Sequence, residues 1–84
     1  MSARPRLRLS VTPRHARAQR ATRFAFRVFP AGPATVWFAG RRVRTGPDGR
    51  ATMTQRLVGR AGTRHVRATR RGFQAATGTI LVRR

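Results

Sequence analysis

The stretch ATVWFAGRRVRTGPDGRAT, residues 34–52, contains the two signals that decide the fold. In its first part apolar and polar side chains alternate, which places Val36 and Phe38 on one face and Trp37 on the other. A period of two along the chain is typical of a β-strand with one buried face. The first part therefore predicts a strand, and the arginine-rich segment after it adds Val43 to the inward side.

The second part of the stretch, GPDGRAT, is a turn sequence with a physical basis. Pro47 fixes its own φ, Asp48 can bond the nearby backbone, and Gly49 tolerates a positive φ. We therefore predict a hairpin with Asp48 at its tip. Asp48 is the only acidic residue of the chain, so it has no partner for a glycosidase-type pair and too few for a usual calcium site.

The same alternation recurs on both sides of this stretch. RLRLSVT and RFAFRVF alternate before it, and ATMTQRLV, TRHVRATRR and FQAATGTILVRR follow it. Turn signals separate these segments at intervals of about 8–12 residues. Residues 14–23, RHARAQRATR, have no broad apolar stripe and are predicted to form a connection that could include one helical turn. The whole pattern predicts an all-β fold, an antiparallel two-sheet β-sandwich of about seven strands.

The length and composition exclude several kinds of chemistry. The 84 residues suffice for one domain, predicted over residues 6–84 with a disordered amino-terminal tail at residues 1–5. There is no cysteine, so neither a disulfide nor a cysteine-based zinc site can form. His15 and His65 are the only histidines and have too few acidic neighbours in the sequence for a metal site. We predict a protein that is not an enzyme, with no metal, cofactor or small-molecule substrate.

The net charge of +19 at pH 7 is the most unusual property of the sequence. All 20 basic residues are arginine, and a surface of this kind attracts polyanions such as nucleic acid, anionic lipid or acidic cell-wall polymers. The absence of lysine, asparagine and tyrosine also indicates GC-rich coding. Two explanations of the arginines therefore stay open: a surface selected for polyanions, or a codon bias whose binding is incidental.

The side chains predicted to point outward are the candidates for polyanion binding. They are Arg6, Arg8, Arg27, Arg42, Arg44, Arg67, Arg70, Arg71 and Trp37. Each guanidinium can hold a phosphate or carboxylate through two hydrogen bonds. Trp37, among arginines, could stack on a base or a sugar, or it could pack under the loop of residues 30–33.

In order and spacing these segments resemble the bacterial immunoglobulin-like modules, related to the carboxypeptidase regulatory-like and invasin-type repeats. LRLSVTP resembles their opening strand, and Ala34, Val36 and Phe38 match an Ala-x-Val-x-Phe strand. A Gly, a Thr and an Asp-Gly turn come next in the family pattern. The matching residues here are Gly40, Thr45, Asp48 and Gly49, and the closing Gly-Thr-Tyr-x-Val-x-Ala and Gly-Tyr elements are matched by Gly62, Thr63, Val66, Ala68, Gly72 and Phe73.

Two residues depart from the pattern of these modules. Arg64 stands where the family has tyrosine, so its charge must reach solvent or find a partner beside the core. Gln19 stands where the first connection usually has glycine. The resemblance implies an immunoglobulin-like fold and a spacer, stalk or adhesive role, without catalytic residues.

Two functional hypotheses follow from the sequence. The first is a non-catalytic structural or adhesive module, an accessory or carboxy-terminal part of an exported bacterial protein, with neighbouring domains and acidic polymers as partners. The second is a free-standing small basic protein that binds nucleic acid. The first implies an extracellular or cell-surface location, and a native start at Met1 would instead imply the cytoplasm.

Overall fold

The computed structural model describes residues 4–84, which form eight β-strands in two sheets and no helix. The strands are β1 (Arg8–Thr12), β2 (His15–Arg17), β3 (Ala21–Phe29), β4 (Thr35–Phe38), β5 (Arg41–Arg44), β6 (Arg50–Arg56), β7 (Gly62–Thr69) and β8 (Ala76–Arg83). One sheet has the order β1-β3-β6, and the other has the order β2-β8-β7-β4-β5. The predicted all-β class and the division into two sheets are confirmed.

The strand β2 was not predicted, because residues 14–23 were assigned to a connection. It lies parallel to β8, whereas every other strand pair is antiparallel. Backbone hydrogen bonds join Leu81 N to Arg14 O (2.7 Å) and Ala18 N to Arg83 O (2.6 Å). Ala16 is its only buried side chain, so β2 is held mainly by backbone hydrogen bonds to the edge of β8 and not by the burial of an apolar face.

Both sheets contribute their inward side chains to one hydrophobic core. Phe24 and Phe26 of β3 meet Phe38 of β4 edge to face, with ring centroids 5.0 and 6.0 Å apart. Val36 and Ile80 are fully buried in the same core. Along these strands the neighbours of the buried residues are exposed or half-buried, so the alternation read from the sequence describes the two faces of each sheet correctly.

The predicted hairpin at Asp48 is wrong, although the turn itself is present. The Oδ1 atom of Asp48 accepts a hydrogen bond from Arg50 N (3.0 Å), and Gly49 has a φ of 77°. However, β5 pairs with β4 and β6 pairs with β3, so the turn carries the chain from one sheet to the other. The hairpin is instead β4–β5, closed by Ala39 and Gly40, whose positive φ values of 52° and 74° suit a two-residue turn.

The crossing between the sheets is held by the buried side chain of Thr45. Its hydroxyl donates to Gly32 O (2.9 Å) and accepts from Ala34 N (2.7 Å). Gly49 O accepts from Val28 N (2.8 Å), and a Cβ added at Gly49 would collide with the carbonyl oxygen of Val28. These contacts tie the segment to β3 and to the loop before β4, and β6 continues along β3 rather than along β5.

The two departures from the family pattern both have a structural counterpart. The guanidinium of Arg64 donates to the carbonyl oxygens of Arg60 (2.7 Å) and Val58 (3.4 Å), so its charge finds backbone partners. Gln19 has a φ of 70°, in the left-handed region where glycine is usual. Of the predicted tail, residues 1–3 lie outside the described residues, and Pro5 O accepts from Gln74 N (2.9 Å).

Candidate polyanion-binding surface

A row of two arginines and a tryptophan crosses the outer side of the five-stranded sheet. In the strand register Trp37 of β4 lies opposite Arg42 of β5 on one side and Arg67 of β7 on the other. Arg44 follows in the next outward row, opposite Thr35. We call these side chains, Trp37, Arg42, Arg44 and Arg67, the Trp37 face. The three strands hold them because each strand buries the intervening residues in the core.

Trp37 is exposed over 44% of its surface, as the alternation predicts. The guanidinium carbon of Arg42 lies 5.7 Å from the centre of the indole ring, within the range of a cation–π interaction. The indole therefore lies beside a positive charge while a large part of its surface stays open to solvent. An aromatic ring next to guanidinium groups can stack on a flat ligand while the arginines hold an anion.

A second cluster of arginines surrounds an aromatic ring on the outer side of the three-stranded sheet. Phe29 of β3 is exposed over 38% of its surface and lies opposite Arg8 of β1. The guanidinium carbon of Arg27 is 4.6 Å from the centre of the phenyl ring, and Arg27 lies opposite Arg50 of β6. We call these side chains, Arg8, Arg27, Phe29 and Arg50, the Phe29 face. It repeats the chemistry of the Trp37 face on the other sheet.

An open groove runs along one end of the Phe29 face. It is lined by Arg6, Arg8, Leu9, Ser10, Phe29 and Pro30. Its lining is mainly apolar and includes two of the predicted arginines. Arg6 is placed there by a single bridge between its backbone and that of Gln74. The groove can therefore hold an apolar or planar group beside two guanidinium groups.

Arg70 has a structural role that the sequence did not indicate. Its guanidinium donates to Gly32 O (2.7 Å) and Pro33 O (2.9 Å) and lies 5.1 Å from the ring centre of Phe73. These bonds hold the loop before β4 in place. The neighbouring Arg71 is exposed and lines an open hollow together with Arg44. Among the predicted candidates, Arg70 therefore has the least freedom to bind a ligand.

Two members of the Phe29 face were not among the sequence candidates. Arg50 begins β6, where Ala51 and Met53 face inward, so the alternation alone was sufficient to assign it outward. Phe29 ends β3 on the same side as Arg27, and its exposure could be predicted from the same alternation. The pairing of β3 with both β1 and β6 brings these side chains together, and this pairing could not be predicted from the sequence.

The other polar residues of the described chain form no obvious chemical site. Within residues 4–84, no three histidine, cysteine, aspartate or glutamate side chains come together in a position to hold a metal ion. His15 and His65 are exposed on different strands, and the Asp48 carboxylate bonds the backbone of its own turn. None of the described residues belongs to a helix long and apolar enough to cross a membrane.

No protein-family model matches this chain, and no curated protein matches its sequence.

Proposed function

We propose that this protein is a non-catalytic immunoglobulin-like module that binds acidic polymers through its outer sheet faces. The observation that carries the proposal is the pair of exposed arginine clusters in a chain with one acidic residue. One carboxylate cannot neutralise 20 arginines, so the faces are free to attract polyanions.

The strand order supports the immunoglobulin-like part of the proposal. Immunoglobulin domains place strands A, B, E and D in one sheet and C, F and G in the other, and variable-type domains add C′ beside C. In this chain β1, β3 and β6 correspond to A, B and E, and β4, β7 and β8 correspond to C, F and G. β5 then corresponds to C′, and the described residues include no counterpart of strand D.

The proposed biological setting is a structural or adhesive module of an exported bacterial protein, facing acidic wall polymers or anionic lipid. This setting follows from the resemblance to bacterial immunoglobulin-like modules. The rows of exposed arginine are compatible with it, because electrostatic attraction to a polymer needs many charges and no shaped pocket.

The proposal is tested by measuring binding to a panel of polyanions at about 0.15 M salt, where the Debye length is about 8 Å. The panel holds heparin, a teichoic-type wall polymer, anionic vesicles, duplex DNA and single-stranded DNA. We expect binding to the polymers to fall steeply with rising salt, as charge neutralisation requires. Absence of binding to every member of the panel at this salt concentration would refute the proposal.

A second candidate function, nucleic-acid binding, is favoured by the exposed Trp37 between Arg42 and Arg67. Base stacking on an aromatic side chain contributes about 1–3 kcal/mol per base in proteins that bind single strands. The candidate predicts at least about tenfold preference for single-stranded DNA over heparin, equal to about 1.4 kcal/mol. It also predicts that this preference disappears in Trp37→Ala but persists in Phe29→Ala. Equal affinity across the panel would leave the first proposal in place.

A further inference from the structure

We propose that the Trp37 face and the Phe29 face are two independent binding sites, through which one molecule joins two polyanion segments. This inference rests on the proposed function, because it assumes that exposed arginines bind acidic polymers. It adds that the two arginine clusters do not act as one continuous surface. The protein would then cross-link or condense acidic polymers rather than coat a single one.

The positions of the two faces on opposite sheets are the first argument. Phe24 and Phe38 meet in the core between the sheets, so the outward side chains of β3 and β4 point away from each other. Packed sheets lie about 10 Å apart, and the side chains add to this separation on both sides. A straight polymer segment lying on Trp37 therefore cannot also contact Phe29.

The repetition of the same chemistry is the second argument. Each face presents one exposed aromatic ring with a guanidinium group near it, Arg42 beside Trp37 and Arg27 beside Phe29. Each face also has further arginines on neighbouring strands: Arg44 and Arg67 on the Trp37 face, and Arg8 and Arg50 on the Phe29 face. Each face thus contains the full set of groups needed to hold a polyanion without the other.

The size and stiffness of the ligand make the inference testable. The molecule measures 47 × 24 × 18 Å along its principal axes. Duplex DNA has a persistence length of about 150 base pairs, so a duplex of about 12 base pairs cannot bend around this molecule to touch both faces. Two such duplexes brought together by one protein must therefore occupy separate sites, and removing charge from one face at a time identifies those sites.

The experiment mixes two duplexes of about 12 base pairs, one with a donor fluorophore and one with an acceptor, and adds the protein. We expect energy transfer between the duplexes to rise with protein concentration and to fall again when excess protein occupies each duplex singly. Sedimentation velocity at the same concentration reports whether the protein is a monomer. Energy transfer by a protein dimer would overturn the inference, since each subunit could then contribute one face.

Two double variants separate the faces, and a third controls for charge. Arg42→Gln with Arg67→Gln removes two charges from the Trp37 face, and Arg27→Gln with Arg50→Gln removes two from the Phe29 face. The control replaces Arg20 and Arg60, which are exposed in the loops before β3 and after β6, by glutamine. All six side chains are exposed, so each variant should fold, which circular dichroism checks.

Each face variant should still bind one duplex but lose the energy transfer, whereas the loop control should keep both. Equal loss in all three variants would show that net charge alone drives association, and the inference would fail. Persistent energy transfer in both face variants would refute it as well. If the wild-type protein binds duplexes without energy transfer, only the bridging inference fails; absence of any binding contradicts the proposed function itself.

Discussion

Trp37 and Phe38 are neighbours in β4, and they have opposite surroundings. Phe38 is 2% exposed and lies between Phe24 and Phe26 of the other sheet, whereas Trp37 is 44% exposed beside Arg42. Phe38 is constrained by the shape of the core around it. Trp37 is constrained only by the strand that carries it, so its ring is available to a ligand.

The difference between these two residues extends to the whole molecule. The interior is formed by a small number of apolar side chains in contact, and its stability depends on their volumes. The outer faces are formed by arginines that repel one another, and this repulsion opposes folding by less than a core side chain contributes to it. Changes to the interior should therefore have the larger effect on stability, whereas changes to the faces should mainly affect binding and the response to salt.

The largest expected effect is that of Phe38→Ala. Removal of a buried phenylalanine from a core costs about 3–5 kcal/mol, because apolar contacts are lost and a cavity remains. Folding stability in a domain of this length is on the order of a few kcal/mol. We therefore expect the variant to be largely unfolded at 25 °C, as measured by circular dichroism and thermal unfolding.

Trp37→Ala is the matched control for Phe38→Ala, because it truncates the adjacent aromatic residue. Since Trp37 points outward, its loss should leave the unfolding transition within about 1 kcal/mol of the wild type, in the usual range for surface substitutions. If Trp37→Ala unfolds the protein as completely as Phe38→Ala, the distinction between the two faces of β4 is wrong.

A smaller effect is expected from salt, which screens the repulsion among the exposed arginines. Arg27 and Arg50 lie directly opposite each other on neighbouring strands, and like charges in such positions destabilise a sheet. Salt between about 0.01 and 0.15 M shortens the Debye length from about 30 to about 8 Å, so the repulsion is screened. We expect the unfolding midpoint to rise by about 4–8 °C, which corresponds to about 1 kcal/mol.

Arg27→Gln provides the control for this salt effect, since it removes one member of the repelling pair. Its unfolding midpoint should exceed that of the wild type at low salt, and the difference should shrink as salt is added. A wild-type midpoint that does not change with salt would mean that repulsion on the outer faces does not limit stability.

Much of the fold could be predicted because the alternation of side chains is a local property. The buried faces of β3, β4 and β8 follow directly from it. The pairing of strands is not a local property, and the hairpin predicted at Asp48 was therefore wrong. GPDG has the same residues whether it closes a hairpin or crosses between sheets, and the choice depends on the Thr45 hydroxyl and on loop atoms far away in the chain.

The candidate site was predictable to a similar extent. The outward direction of Trp37, Arg42 and Arg67 follows from alternation, but their position in one row depends on the register of three strands. Arg70 was predicted to be free for a ligand, but its guanidinium donates hydrogen bonds to carbonyl groups of a loop almost 40 positions earlier. No local pattern indicates such a partner.

The smallest effect concerns Gln19, which is exposed but still constrained by its backbone. Its φ of 70° costs a residue with a side chain roughly 1–2 kcal/mol, whereas glycine adopts the same φ freely but loses about 0.5–1 kcal/mol through the entropy of the unfolded chain. We therefore expect Gln19→Gly to stabilise the protein by about 0.5 kcal/mol, a rise of about 2–4 °C in the unfolding midpoint. Ala21→Gly, at the start of β3, is the control and should destabilise by about 0.5–1 kcal/mol. If both glycine variants lower the midpoint, the left-handed conformation of Gln19 is not what limits this connection. If only Ala21→Gly lowers the midpoint, the exposed side chain of Gln19 makes no packing contacts that matter, but its backbone conformation still limits stability.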